Sequence, residues 1–113
     1  MSRSDRRVAI GERILSLSNI GGLDDVENPV YLAFTWIAED DPLFLCPDDI
    51  NLLQRYVLAL LYFATNGDNW SKCRRDGLAP CNAGNFLSGV HECMWGGITC
   101  DRLKRIKKLN LGM

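Results

Sequence analysis

Long apolar runs are missing from this chain, and so are the motifs that mark the common catalysts. No stretch approaches the roughly 20 consecutive apolar residues of a membrane span. The opening Met1-Ser2-Arg3-Ser4-Asp5-Arg6-Arg7 leads into no apolar run of signal-peptide length, so export has to be inferred from other features. There is no Walker-type or Rossmann-type glycine loop and no G-x-S-x-G nucleophile elbow, which leaves phosphate-cradling and hydrolase readings without their usual scaffold. Paired cysteine knuckles are absent too. The gaps Cys73-x7-Cys81-x11-Cys93-x6-Cys100 contain no C-x2-C to place two thiolates on one metal, so a zinc site completed by His91 is disfavoured. His91 beside Cys93 reads as a loop histidine rather than the base of a thiol nucleophile, because neighbours in a glycine-rich loop seldom reach that geometry.

Cysteine itself is plentiful. The chain has 113 residues and five cysteines, and all but Cys46 fall between Cys73 and Cys100. Such clustering suggests cross-links, which small extracellular domains use to reinforce marginal cores, each being worth on the order of 2–4 kcal/mol. The expected setting is therefore an oxidising one, extracellular or the ectodomain of a membrane-associated protein. Cys73 and Cys81 are a pair by proximity, although cross-pairings stay open at this point. Cys46 is the odd thiol, free or bonded outside this chain.

With 47% apolar residues, the chain can bury roughly two thirds of its unfolded surface as one domain. Charge nearly cancels, with 13 basic against 14 acidic side chains, but it is unevenly placed. Residues 1–70 hold five basic and eleven acidic groups, residues 71–113 eight and three. Lys104, Arg105, Lys107 and Lys108 lie between apolar residues without interleaved aromatics, so they read as the solvated face of a strand and not as a nucleic-acid stripe.

Residues 1–27 are expected to form a polar, partly flexible segment, with a short helix through Ile10, Ile14, Leu15 and Leu17 that ends at Gly21-Gly22. Asn28-Pro29 offers an N-cap followed by proline at the first helical position, and Val30, Ala33, Phe34 and Ile37 recur at helical spacing until Asp40-Asp41-Pro42. The strongest periodicity follows Cys46-Pro47. Asn51 and Gln54 have the spacing of a capping box, and Leu52, Leu53, Tyr56, Val57, Leu60, Leu61 and Ala64 predict a helix over about 51–65. Leu58, Tyr62 and Phe63 add apolar flanks, and Asn66-Gly67 supplies a left-handed exit. Asp40, Asp41, Asp48 and Asp49 read as helix-stop and helix-cap residues rather than as calcium ligands or a carboxylate pair.

Six of the ten glycines lie from Gly67 to Gly97, so little regular structure is expected there. Asn69-Trp70-Ser71 is a glycosylation sequon at the boundary of helix and loop, which makes Asn69 a candidate acceptor under secretion. Beyond the loop, Gly97-Ile98-Thr99-Cys100 and Arg105 to Leu111 read as two short strands around the turn Asp101-Arg102-Leu103-Lys104. Cys93 and Cys100, separated by a tryptophan and a Gly-Gly bend, can close a tight loop against the first of them.

Three runs occur in a telling order: Leu58 through Asn66-Gly67-Asp68-Asn69-Trp70, then His91-Glu92-Cys93-x-Trp95-x-Gly97-Ile98-Thr99-Cys100-Asp101, then Ile106-x-x-Leu109-x-Leu111-Gly112. Together they resemble the plant-type N-terminal cap of leucine-rich-repeat proteins, whose C-x-W-x-G-[VI]-T-C motif precedes the first repeat. The likeness covers about residues 28–113, and Trp36-Ile37 through Leu45-Cys46-Pro47 resembles algal members of that group.

The resemblance implies a Cys93–Cys100 disulfide, a Trp95 packed on the first repeat, and a structural core of Trp95, Ile98, Ile106, Leu109 and Leu111. It also implies that further units of roughly 20–29 residues follow. The fold class expected is α+β: a helical cap over residues 28–104, a disulfide-stapled loop, and a hairpin whose last strand, from residue 105 to 113, opens the first repeat. The expected role is non-catalytic capping of a solenoid that binds a protein or peptide through downstream repeats, with no cofactor, no nucleic acid, and membrane association only through segments outside this chain. The alternative is a stand-alone cysteine-stapled secreted effector or inhibitor-like domain.

Overall fold

The computed structural model describes residues 2–17 and 27–111. The expected stop at Gly21-Gly22, the side chain of Leu17 and the expected Gly112 lie outside them. Three helices precede a two-stranded antiparallel sheet, so the architecture is α+β, as the sequence implies.

Helix α1 spans Arg3–Leu17. It begins at Arg3, ahead of the short helix expected through Ile10, Ile14, Leu15 and Leu17. The Asp5 backbone N–H donates to Ser2 Oγ at 3.0 Å, an N-cap that satisfies one open amide. Ile10 and Ile14 are fully buried. Its arginines are the reason the polar end stays docked. Arg6 is buried and donates to the Ala38 carbonyl, to the Leu45 carbonyl from Nε at 3.0 Å, and to the Ile37 carbonyl at 3.4 Å. Arg13 donates to the Pro47 carbonyl at 2.5 Å, and Arg7 pairs with Glu39 at 3.2 Å.

Helix α2, Pro29–Thr35, begins at the expected cap, where Val30 N–H donates to Asn28 Oδ1 at 2.8 Å. It widens into a π-helical turn at Trp36–Asp40, closed by the Asp41 N–H donating to the Trp36 carbonyl at 2.8 Å. Widening the turn buries Trp36, Ile37 and Ala38 in succession, more than a regular helical stripe could. The carbonyls of Ile37 and Ala38 find a donor in Arg6, which explains how this irregular end tolerates burial.

Helix α3, Leu52–Ala64, falls where its periodicity places it. Its buried face is rotated from the expected one. Leu52, Tyr56, Leu58, Ala59 and Tyr62 are buried, whereas Leu53, Leu60 and Leu61 are half-buried and Val57 is 46% exposed. The rotation comes from the loop after it, which carries aromatic mass that local periodicity does not register. Tyr62 and Trp70 lie 5.0 Å apart, Trp70 and Phe86 4.9 Å, Phe86 and Trp95 5.0 Å, and Trp95 and Trp36 6.0 Å. This aromatic chain runs from α3 through the loop to the π-helical turn after α2 and forms the centre of the core. The exit turn is as expected, with Asn66 left-handed at φ 59°.

Candidate interaction surface

The segment from His91 to Leu111 gathers most of the residues singled out in the sequence. It begins with a 3-10 turn, Glu92–Met94, where the Cys93 N–H donates to His91 Nδ1 at 3.1 Å. The Cys93 sulfur is bonded to Cys100, so it is not a thiolate available to His91. Cys73 is bonded to Cys81, which resolves the cross-pairings left open by spacing, and Cys46 is free and exposed. Two disulfides point to an oxidising, extracellular-type compartment. No helix among the described residues is long and apolar enough to cross a membrane.

Strand β1 is Ile98–Cys100 and strand β2 is Ile106–Leu109. They pair antiparallel, Ile98 with Leu109, Thr99 with Lys108 and Cys100 with Ile106, across a bulge between Thr99 and Cys100. The extra residue is Lys107. Three residues apart in a regular strand, Ile106 and Leu109 would point to opposite faces; with Lys107 bulged out of the ladder, both share the face of Ile98 and Cys100. Gly97, at φ +86°, closes the other end by accepting the Asn110 N–H at 2.7 Å. A Cβ there would sit 2.4 Å from the Asn110 oxygen, so only glycine fits. Gly96 meets a similar limit, its position being 2.2 Å from Cys73 Sγ for any added Cβ.

Trp95 and Ile98 are buried as expected. Ile106 and Leu111 pack against the core but remain half-buried, and Leu109, expected within it, is 45% exposed. Leu109 lies at the end of β2 and is the most exposed of the four side chains on that face. Lys104, Arg105, Lys107 and Lys108 are all exposed. Asn69 is exposed as well, on a short 3-10 turn, Gly67–Asn69, which leaves its amide accessible to modification.

The hairpin is held to α3 by side chains read quite differently in the sequence. Asn51 and Gln54 do not make a capping box. Asn51 Nδ2 donates to Glu92 Oε1 at 3.1 Å and Gln54 Nε2 to Glu92 Oε2 at 2.7 Å. Gln54 also donates to the Lys104 carbonyl at 2.9 Å and accepts the Ile106 N–H at 2.8 Å. A fully buried carboxylate attracts both amides more strongly than a helix end facing solvent, and that diverts them from the cap.

Beside Glu92 lies Arg55, with no solvent exposure. Its guanidinium grips Asp41 through two hydrogen bonds, donates to the Ser88 and Val90 carbonyls at 2.6 and 2.8 Å, and reaches Glu92 Oε1 at 3.5 Å. It also stacks near Trp36 and Trp95, 5.2 and 4.8 Å from their ring centres. One buried cation thus ties α2, α3, the loop and the 3-10 turn together. Asp41 is therefore a core ligand of Arg55 and not merely a helix stop. Asp49 does serve locally, accepting the Cys46 N–H at 2.7 Å.

A second ionic group braces the loop farther out. The Tyr62 hydroxyl donates to Asp68 at 2.7 Å, and Arg75 pairs with the same carboxylate at 2.9 Å. Burial, reinforced by Asp68, pushes the Tyr62 phenol up to about 12. Burial alone would raise Asp68, but the Tyr62 and Arg75 donors outweigh it and hold the carboxyl below its ordinary value.

Chemically, this arrangement rigidifies a short hairpin and leaves its outer strand open. Comparison with family models, with curated proteins and with solved structures finds no match to this chain.

Proposed function

We propose that this chain is a non-catalytic N-terminal cap of a leucine-rich-repeat solenoid, which supports recognition of a protein or peptide by the repeats that would follow. The observation that carries the reading is the open edge of β2 beside the stapled loop. In the register with β1, Asn110 donates toward Gly97, so the flanking Leu109 and Leu111 amides are directed to the unpaired side. Leu109 remains 45% exposed, and Leu111 lines a hollow of about 190 Å³ together with Trp70, Gly97 and Asn110. A repeat strand laid against that edge would supply the missing hydrogen bonds and fill the hollow, which is how a solenoid removes an edge-strand liability. An ectodomain location, secreted or membrane-associated, fits the disulfides.

The test is to fuse three consensus repeats of the form L-x-x-L-x-L-x-x-N after Leu111 and to follow thermal unfolding. A cap yields one cooperative transition, above that of the repeats alone. Separate transitions at unchanged temperatures overturn the reading and favour a domain that acts by itself.

A further inference from the structure

On the side of the hairpin turn, the start of α3 and the tip of residues 101–104 enclose a groove of about 550 Å³, whose lining includes Ile50, Gln54, His91, Leu103, Lys104 and Arg105. Two features of it are unusual for a solvated surface. Ile50 is 98% exposed and Leu103 70% exposed, so both rims of the groove carry a bare aliphatic side chain that no described residue covers. The turn and strand also concentrate one sign of charge. Residues 102–108 hold five cations, Arg102, Lys104, Arg105, Lys107 and Lys108, and no carboxylate. Arg105 pairs with Asp101 at 3.0 Å, whereas Lys104, Lys107 and Lys108 enter no ion pair among the described residues.

We infer that this groove is a docking site for an acidic protein segment carrying an apolar anchor residue. The anchor would lie between Ile50 and Leu103, and flanking carboxylates would meet Lys104. Charge complementarity selects the sign of the partner, and shape selects its kind. The hollow between the two rims has room for a side chain against the polar groups of Gln54 and His91, whereas an anionic lipid surface would cover the rims and leave the hollow unfilled. The Gln54 bonds to Lys104 and Ile106 hold both walls in fixed relation, so the slot is formed before anything binds. This inference does not rest on the capping proposal, because the groove lies at the turn and not on the open edge of β2.

The experiment uses the 113-residue chain, labelled with nitrogen-15, titrated with an acetylated and amidated peptide of sequence Glu-Asp-Leu-Glu-Phe-Asp-Glu. Amide shifts are expected to concentrate on residues 50–54, His91 and residues 103–105. Replacing every acid in the peptide by lysine should weaken binding by roughly tenfold or more, as should about 0.5 M salt. The exposed substitutions Ile50→Asp and Leu103→Asp should each weaken it by about tenfold, with unchanged circular dichroism. Shifts centred elsewhere, equal binding of the lysine peptide, or no saturable binding would overturn the proposal. So would co-sedimentation of the chain with phosphatidylserine vesicles in the absence of any peptide binding, which would assign the patch to lipid.

Discussion

Arg55 and Asp41 meet by two parallel hydrogen bonds, Nε to Oδ2 at 2.6 Å and NH2 to Oδ1 at 2.7 Å, with both side chains removed from solvent. A bidentate geometry of this kind compensates the loss of hydration that burying two charges entails. Removing one partner strands the other. Asp41→Asn is expected to lower the unfolding free energy by about 3–5 kcal/mol, measured by urea denaturation under non-reducing conditions. A loss below about 1 kcal/mol would show that the pair is not the keystone its position suggests.

The Cys93–Cys100 bridge closes a short loop, with a sequence separation of seven, directly against β1. Loop-closure entropy for that length gives about 2–3 kcal/mol, so Cys93→Ser with Cys100→Ser should lower stability by that amount. Thiol titration of the denatured, unreduced chain should find Cys46 alone, and five reactive thiols would contradict both bridges.

Gly97 is the hinge between the Trp95 turn and β1. Gly97→Ala would force a left-handed alanine at φ +86° and a clash with the Asn110 carbonyl, and should cost about 2 kcal/mol or more. The hairpin amides should lose their exchange protection first. A neutral substitution would mean that the end of β2 moves freely.

Tyr62 couples the stability of the fold to alkaline pH. Its phenol ionises at about 12 in the folded chain and near its ordinary 10 when unfolded. The protonated form is thus favoured by folding. The resulting stability is complete below pH 10 and is lost as pH rises through 12. Denaturation midpoints should fall across that window, and the Tyr62→Phe variant should show a shallower fall. Ultraviolet titration of the folded chain should show Tyr62 ionising toward 12 and Tyr56, raised by its burial, also above the ordinary value.

Much of the local structure is legible in the sequence because it obeys local rules. Asn28-Pro29 caps α2 as its chemistry requires, α3 lies where apolar residues recur, and the hairpin turns at Asp101–Lys104. What the sequence hides is long-range. Arg6, Arg55, Asp41 and Glu92 belong to residue types that usually face water, and nothing local reveals that their partners are 14 to 41 residues away. The same ignorance misassigns Asn51 and Gln54 to a cap and rotates the expected face of α3. The spacing of the apolar residues does carry one signal that could have been used: Ile106 and Leu109 share a face only if a bulge intervenes, and Lys107 is that bulge.

The proposal that β2 seeds a following coil is tested most directly by hydrogen exchange at two amides. In the chain alone, Leu109 and Leu111 should exchange quickly, because their N–H groups are directed to the open edge. In the fusion with three repeats, the account predicts about hundredfold slower exchange at both, as a neighbouring strand accepts them. Unchanged exchange at Leu109 and Leu111 beside folded repeats would contradict it.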